Sequence, residues 1–241
     1  MQSGKTIDVN CDMGEIPALI ADGTQDLLLA HVTSVNVSCG AHAGDEETIE
    51  RTIRAAVERR VHVGAHPGYP DRENFGRVAL AMSPAQIADS VFEQLVSFEE
   101  IASRCGAVVR HVKPHGALYN TAVKEHATAQ AIADGIRRWR KSIPVMGLAG
   151  SLMLDVFRAA GLEALAEAFA DRTYEPDGTL RSRQLPGAMI HSAVEASEQA
   201  LRLAQSGTVD TICIHSDTRG SVEIAAAVEK TLREAGFIGR N

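Results

Sequence analysis

Short β-branched apolar runs recur along the chain, and each leads into a cluster of polar and titratable residues. Seven of them read as strands: Ile7–Val9, Ser34–Val37, Val61–Gly64, Val108–Val112, Val145–Leu148, a weaker run near Ala166–Phe169, and Thr211–Ile214. Amphipathic helical patterns separate most of them. Between Asp45 and Arg60, Ile49, Ile53 and Val57 recur every fourth residue, with Glu46, Glu47 and Glu50 early and Arg59 and Arg60 late. That charge order suits the helix dipole. Ser83-Pro84-Ala85-Gln86 has the composition of a capping box with proline at the first helical position, and Ile87, Val91, Leu95 and Phe98 form the stripe behind it. Further helices are predicted over Ser151–Ala160, Ala193–Ala204 and Ser221–Ala235, with Gly161 and Gly236 closing the first and last.

Strand and helix alternate almost throughout, which predicts an α/β fold with a parallel sheet and right-handed crossovers. Periodicity does not separate a closed barrel from an open doubly wound sheet. The polar clusters do favour a barrel, because a barrel assembles its site from the carboxyl ends of many strands and an open sheet uses one switch point. A length of 241 residues fits one barrel domain, 1–241. Asp171–Gly187 is the longest stretch without periodic apolar residues, the mark of a functional or mobile loop.

Composition narrows the partners. Hydrophobic residues make up 45% and aromatics only 4%, so Ala, Val, Ile and Leu must fill the core. A formal net charge of -7 without any Lys/Arg run argues against nucleic acid or an anionic membrane surface. Cys11, Cys39, Cys105 and Cys213 form no C-x-x-C pair, and Met1–Thr6 lacks the apolar core of a signal peptide, so a reduced, cytoplasmic chain is expected. No run reaches the roughly 18 apolar residues of a membrane span.

The clusters carry the chemistry. Asp12 and Glu15, after the first strand, can divide cation or ammonium binding from proton transfer. His42 lies among small residues that leave its ring accessible, and Asp45 fits either a helix cap or a site residue. His66 precedes Pro67, which holds it extended. Lys113-Pro114-His115-Gly116 is the most informative block: a lysine at a strand end is either desolvated or paired with an anion, and His115 adds a titratable ring. His111 is ambiguous, His62 reads as structural, and His31, His126 and His191 read as surface or packing residues. His215-Ser216-Asp217 closes the last strand, where Asp217 could orient His215. Asp12, His42 and His66 are the candidate ligands for a divalent cation. The sequence has no phosphate loop, nucleophile elbow or dinucleotide fingerprint.

Taken in order, Val9–Glu15, Cys39-Gly40 with His42–Asp45, Gly64–Pro67 with Tyr69–Asp71, Phe75–Arg77, Val112–Asn120, Phe169–Arg172 with Tyr174 and Arg183, and Asp210–Asp217 resemble the LamB/YcsF family, the A subunits of 5-oxoprolinase. The resemblance covers nearly the whole chain. It implies a seven-stranded, distorted β/α barrel related to polysaccharide deacetylases. It also implies ATP-dependent hydrolytic opening of the lactam 5-oxo-L-proline to L-glutamate, with ATP handled together with the B and C subunits. On this reading Asp12, Glu15, His66, Lys113 and His115 are catalytic. Asn36, His42, Asp45, Arg172, Tyr174, Arg183, His215 and Asp217 bind substrate. The chain departs from the family pattern at Ser216, Ala41, Val78 and Ile16-Pro17-Ala18. Two other readings of the residues remain: a metal-dependent amide or N-acetyl hydrolase without ATP, and a non-catalytic subunit that presents the lactam to its partners.

Overall fold

In the computed structural model, which describes residues 5–238, seven parallel strands close a barrel in sequence order. They are β1 (Asp8–Met13), β2 (Ser34–Ser38), β3 (His62–His66), β4 (Val109–Val112), β5 (Pro144–Leu148), β6 (Glu163–Phe169) and β7 (Thr211–His215). β1 closes the barrel on β7, with Asp8 opposite Thr211 and Asp12 opposite His215. Around the strands run α1 (Pro17–Ala21), α2 (Thr24–Leu29), α3 (Glu46–Glu58), α4 (Pro84–Arg104), α5 (Gly116–Ala122), α6 (His126–Trp139), α7 (Leu152–Ala159), α8 (Ala193–Gln205) and α9 (Ser221–Glu234). None of the described helices is long and apolar enough to cross a membrane.

The capping signals act as the residues predict. Ser83 accepts from the Gln86 amide while Gln86 reaches back to the Ser83 amide, and Asp45 accepts from Thr48 N at 2.8 Å to cap α3. Four helices are absent from the sequence reading. α1 and α2 are short, α5 starts directly after Lys113-Pro114-His115, and α6 buries mostly Ala and Ile, a weak periodic signal.

The strands differ from the expected pattern in one respect that sets the chemistry. Polar residues are not confined to their carboxyl ends. On β1, Val9, Cys11 and Met13 join the apolar layer, while Asp8, Asn10 and Asp12 bond to polar side chains of other strands. β1 therefore runs past Val9 to Met13, and Asp12 is a strand residue. Parallel barrels commonly fill their interior with branched apolar side chains. Here the interior carries a hydrogen-bonded column, and each buried polar group must find a partner or cost about 1–3 kcal/mol.

At its base Asp8 accepts from Thr33, Ser34 and Thr211. Above it, Asn10 Nδ2 donates to Thr211 Oγ1 (2.7 Å) and Glu167 Oε1 (3.1 Å). Asn36 Nδ2 donates to Asn10 Oδ1 (2.7 Å) and Asp12 Oδ1 (2.8 Å), and His111 Nε2 donates to Asn36 Oδ1 (2.7 Å).

β4 is the irregular part of the barrel. Its register against β3 shifts between Val63 and Ala65, and it meets β5 only at Val112–Val145. The His111 ring passes over Gly64 there: a Cβ on Gly64 would stand 2.0 Å from His111 Nε2. Glycine is thus required for the histidine to reach Asn36. Gly64→Ala is expected to expel that ring and destabilise the protein by about 3 kcal/mol, measured as a drop in the urea midpoint. An unchanged midpoint would show that the ring has room to move.

Candidate active site

A cavity of about 610 Å³ opens at the carboxyl ends of the strands, with Asp12, Glu15, His66, Lys113, His115 and His215 among its lining residues. The six are far apart in sequence and are brought together by strand ends, as barrel geometry dictates. Its floor is the Lys113 ammonium. Nζ lies 2.8 Å from Glu167 Oε1, 2.9 Å from Asp12 Oδ1, 3.0 Å from Cys213 Sγ and 3.3 Å from Asn10 Oδ1. Burial alone would push this ammonium toward its neutral form. The Asp12 and Glu167 carboxylates outweigh burial and hold its pKa well above the ordinary value. Of the two fates open to a lysine at a strand end, pairing is the one realised.

Asp12 is the junction of the site. Oδ1 receives Lys113 and Asn36, and Oδ2 lies 3.3 Å from His66 Nε2. Burial would raise its pKa, but the positive charges of His66 and Lys113 hold it well below the usual carboxylate range. His66 is correspondingly shifted up: desolvation opposes its charged form, and the Asp12 charge beside it prevails.

Three imidazoles surround Glu15. His115 Nδ1 is 3.1 Å and His42 Nε2 3.0 Å from its Oε1, and His66 Nε2 is 3.8 Å away. Glu15 is held far below its ordinary pKa despite burial, mainly by His115. His42 is fully buried and stacked on His115, with centroids 3.8 Å apart. Desolvation lowers its pKa to about 4.

Backbone tethers fix two of these rings. The Lys113 and His115 amides donate to the Ala65 and Pro67 carbonyls, so Lys113-Pro114-His115 continues alongside His66-Pro67. His66 Nδ1 donates to Lys113 O at 2.7 Å, and His115 Nε2 donates to Phe75 O at 2.9 Å. Phe75 presents that carbonyl from a left-handed conformation, φ 57°, which is costly for a bulky residue.

Opposite this cluster, His215 Nδ1 bonds Asp171 Oδ1 at 2.9 Å, and Asp171 also accepts from the His215 amide and Thr218. Asp171 rather than Asp217 therefore orients His215. Asp217 sits at the rim, where Arg77 and Arg183 both bind its carboxylate. The loop expected from Asp171 to Gly187 is an arm held by antiparallel bridges, Arg172 to Met189 and Tyr174 to Leu180. Arg172 donates to the Arg181 and Ala188 carbonyls inside the arm. Burial and the neighbouring Arg183 lower its pKa to about 10.

The remaining predicted residues lie outside the cavity lining. Asn36 supports Asp12 from below. Tyr174 accepts from the Phe169 amide and so fastens the arm to β6. Asp45 is exposed and caps α3. The Asp12–His42–His66 cation triad expected from the sequence is divided, because His42 faces Glu15. Among the described residues the close ligand sets are Glu15–His42–His115 and Asp12–Cys213–His215. The second is poor for a cation, since the Lys113 ammonium already lies against both Asp12 and Cys213. Glu167 and Asp171 were missed in the sequence. Glu167 falls within the weakest predicted strand, and only the Phe169-Ala170-Asp171 block signalled Asp171.

The chain matches the LamB/YcsF family model over residues 7–240. It belongs to the LamB/YcsF family. A relative from Chloroflexus aggregans, named as the A subunit of 5-oxoprolinase, is 42% identical over 247 residues, covering 98% of each chain. The crystal structure of the lactam utilization protein from Thermus thermophilus superposes with a TM-score of 0.89 at 35% identity, covering 98% of this chain and 99% of the other. The catalytic domain of a peptidoglycan N-acetylglucosamine deacetylase from Eubacterium rectale shares the barrel alone, at TM-score 0.55 and 13% identity, over all of this chain and 90% of the other. The LamB/YcsF chain thus shares its fold with the deacetylase barrels.

The buried histidines set an acid sensitivity. Desolvation lowers His42 and His111 to about 4. Unfolded histidines take up protons below about pH 6.5, so the stability from these two is present above that pH and lost as pH falls toward 4. His66, shifted up, contributes in the opposite sense and offsets part of this loss. The net loss between pH 7 and pH 5 is expected to be about 3 kcal/mol. Urea titrations at the two pH values should show it, and His111→Gln should cut the difference by about half or more.

Proposed function

We propose that this chain is the A subunit of an ATP-dependent 5-oxoprolinase, in which the barrel mouth binds 5-oxo-L-proline and carries out the hydrolytic half of lactam opening. The observation that carries this reading is the junction at Asp12. One ionised carboxylate holds a buried ammonium on one oxygen and an imidazole on the other, at the floor of a cavity whose far wall bears an Asp171–His215 pair. That arrangement provides fixed charge and movable protons on two sides of a bound ring.

A lactam carbonyl is resonance-stabilised and resists water. Transfer of the γ-phosphoryl group of ATP to the carbonyl oxygen, handled with the B and C subunits, activates the carbon. The absence of a phosphate loop in this sequence supports that division of labour. Water then adds to the carbon. The C–N bond breaks, the ring nitrogen gains a proton and leaves as the amine, and the resulting acyl phosphate gives up phosphate to a second water.

Asp171 keeps the Nδ1 proton of His215, so Nε2 is the basic atom available to take a proton from water. The His215 ring, having taken that proton, can return it to the leaving nitrogen, while His66, held by Lys113 O and set beside Asp12, presents Nε2 to the reacting group. Lys113 is already enclosed by two carboxylates, so the substrate carboxylate is left to the rim arginines, Arg77 and Arg183, in competition with Asp217. A bound divalent cation, for which the Glu15 cluster offers suitable donors, would supply Lewis acidity toward water or the carbonyl oxygen.

Asp12→Asn and His66→Ala are each expected to reduce glutamate release by the assembled complex at least about 100-fold, with the circular dichroism spectrum unchanged. Turnover near wild type in both would leave this chain as a presenting subunit. Release of glutamate by the chain alone, without ATP, would instead favour a simple amide hydrolase.

A further inference from the structure

We infer that Glu15, His66 and His115, completed by Asp12, form a site for one divalent first-row transition-metal ion of the zinc class. The inference deepens the hydrolytic reading and rests on it for the ion's purpose, though not for its binding. It starts from the ring tethers. A backbone carbonyl only accepts, so His66 must carry its proton on Nδ1 to bond Lys113 O, and His115 must carry its proton on Nε2 to bond Phe75 O. The other two nitrogens, His66 Nε2 and His115 Nδ1, face each other at 3.0 Å. In neutral rings both are lone pairs.

Around them stand only further acceptors. Glu15 Oε1 lies 3.1 Å from His115 Nδ1 and 3.8 Å from His66 Nε2, and Asp12 Oδ2 lies 3.3 Å from His66 Nε2. All four residues are at least nine-tenths buried. A single added proton bridges one pair of these atoms, whereas a dication satisfies all four.

The spacing suits such an ion. Four ligands held about 2.0–2.1 Å from a tetrahedral centre stand about 3.3 Å from one another, and four of the six separations among these atoms are 3.0, 3.1, 3.3 and 3.8 Å. Ring orientation decides which histidines qualify. His66 and His115 are nearly perpendicular, at 88°, so their in-plane lone pairs can meet at one point. His42 and His115 are stacked at 5° with centroids 3.8 Å apart, so an ion in the plane of one ring lies well outside the plane of the other. His42 therefore serves Glu15 by donating from Nε2 at 3.0 Å. Carbonyl-bound histidines and a histidine-bound carboxylate are the usual supports of metal ligands. Two imidazoles with two carboxylates suit zinc, cobalt or manganese better than magnesium or calcium.

The test is titration of the chelator-stripped full chain with zinc and with cobalt, read by calorimetry, metal analysis after dialysis, and the visible spectrum of the cobalt form. One equivalent of metal with tetrahedral cobalt bands is expected. His66→Ala or His115→Ala should lower affinity at least about 100-fold, and His42→Gln about tenfold. Glu15→Gln provides a ligand change of nearly equal volume should a histidine variant fail to fold. Lack of uptake by the wild-type chain, or uptake unchanged in the His66→Ala/His115→Ala double variant, overturns the site. Stoichiometric binding without 5-oxoproline turnover in the assembled complex would uphold the site and refute the proposed activity. Turnover indifferent to chelation, with no metal bound, would do the reverse.

Discussion

The ammonium of Lys113 is the interaction on which this structure turns. It is buried at the top of the barrel interior between Asp12 and Glu167, where removal of either sign of charge would leave the other uncompensated, a change costing about 3–5 kcal/mol in buried pairs. The two acids come from β1 and β6, and the lysine directly follows β4. One charge cluster thereby ties three separate parts of the barrel at the level where the site begins. The column beneath it, through Asn10, Asn36, Thr211 and His111, gives each polar side chain a partner. A polar interior of this kind is rigid because no member can turn without orphaning another.

That rigidity is transmitted upward. Asp12 belongs to the column and to the mouth, so its free oxygen is aimed at His66 by groups that never touch a substrate. His66 and His115 are held by carbonyls of the two segments that also line the cavity, and Phe75 accepts a strained conformation to provide one of them. Backbone strain at such a position persists only where surrounding structure over-determines it. The result is a set of imidazoles and carboxylates whose nitrogen and oxygen atoms converge on one another in the mouth.

The opposite wall is organised differently. His215 is held by Asp171 at the base of the arm, and the arm continues through Arg172 to Arg183, which meets Arg77 on the shared carboxylate of Asp217. A side chain that orients an imidazole and a loop that carries rim cations are thus covalently continuous. Any anion drawn into the mouth must compete with Asp217 for these arginines. Ser216 lies buried in the lining between His215 and Asp217.

Much of the architecture was legible in the residues. Alternating apolar runs and amphipathic stretches specify strand and helix locally, and Ser83, Asp45 and the helix-closing glycines mark boundaries by local hydrogen bonding and backbone freedom, so sequence alone determined the strand–helix alternation and most helix starts. It also determined that Asp12, His66, Lys113, His115 and His215 follow or end strands, which in a parallel barrel places them on one face. What it did not carry was pairing across the barrel. Glu167 and Asp171 have no local mark of their roles because their partners, Lys113 and His215, are tens of residues away, and the small neighbours of His42 give no sign that its ring is buried. Closure of the barrel decided these points: it set β1 against β7, enclosed the polar faces of the strands, and turned separate side chains into coupled charges whose roles depend on distances that no local pattern encodes.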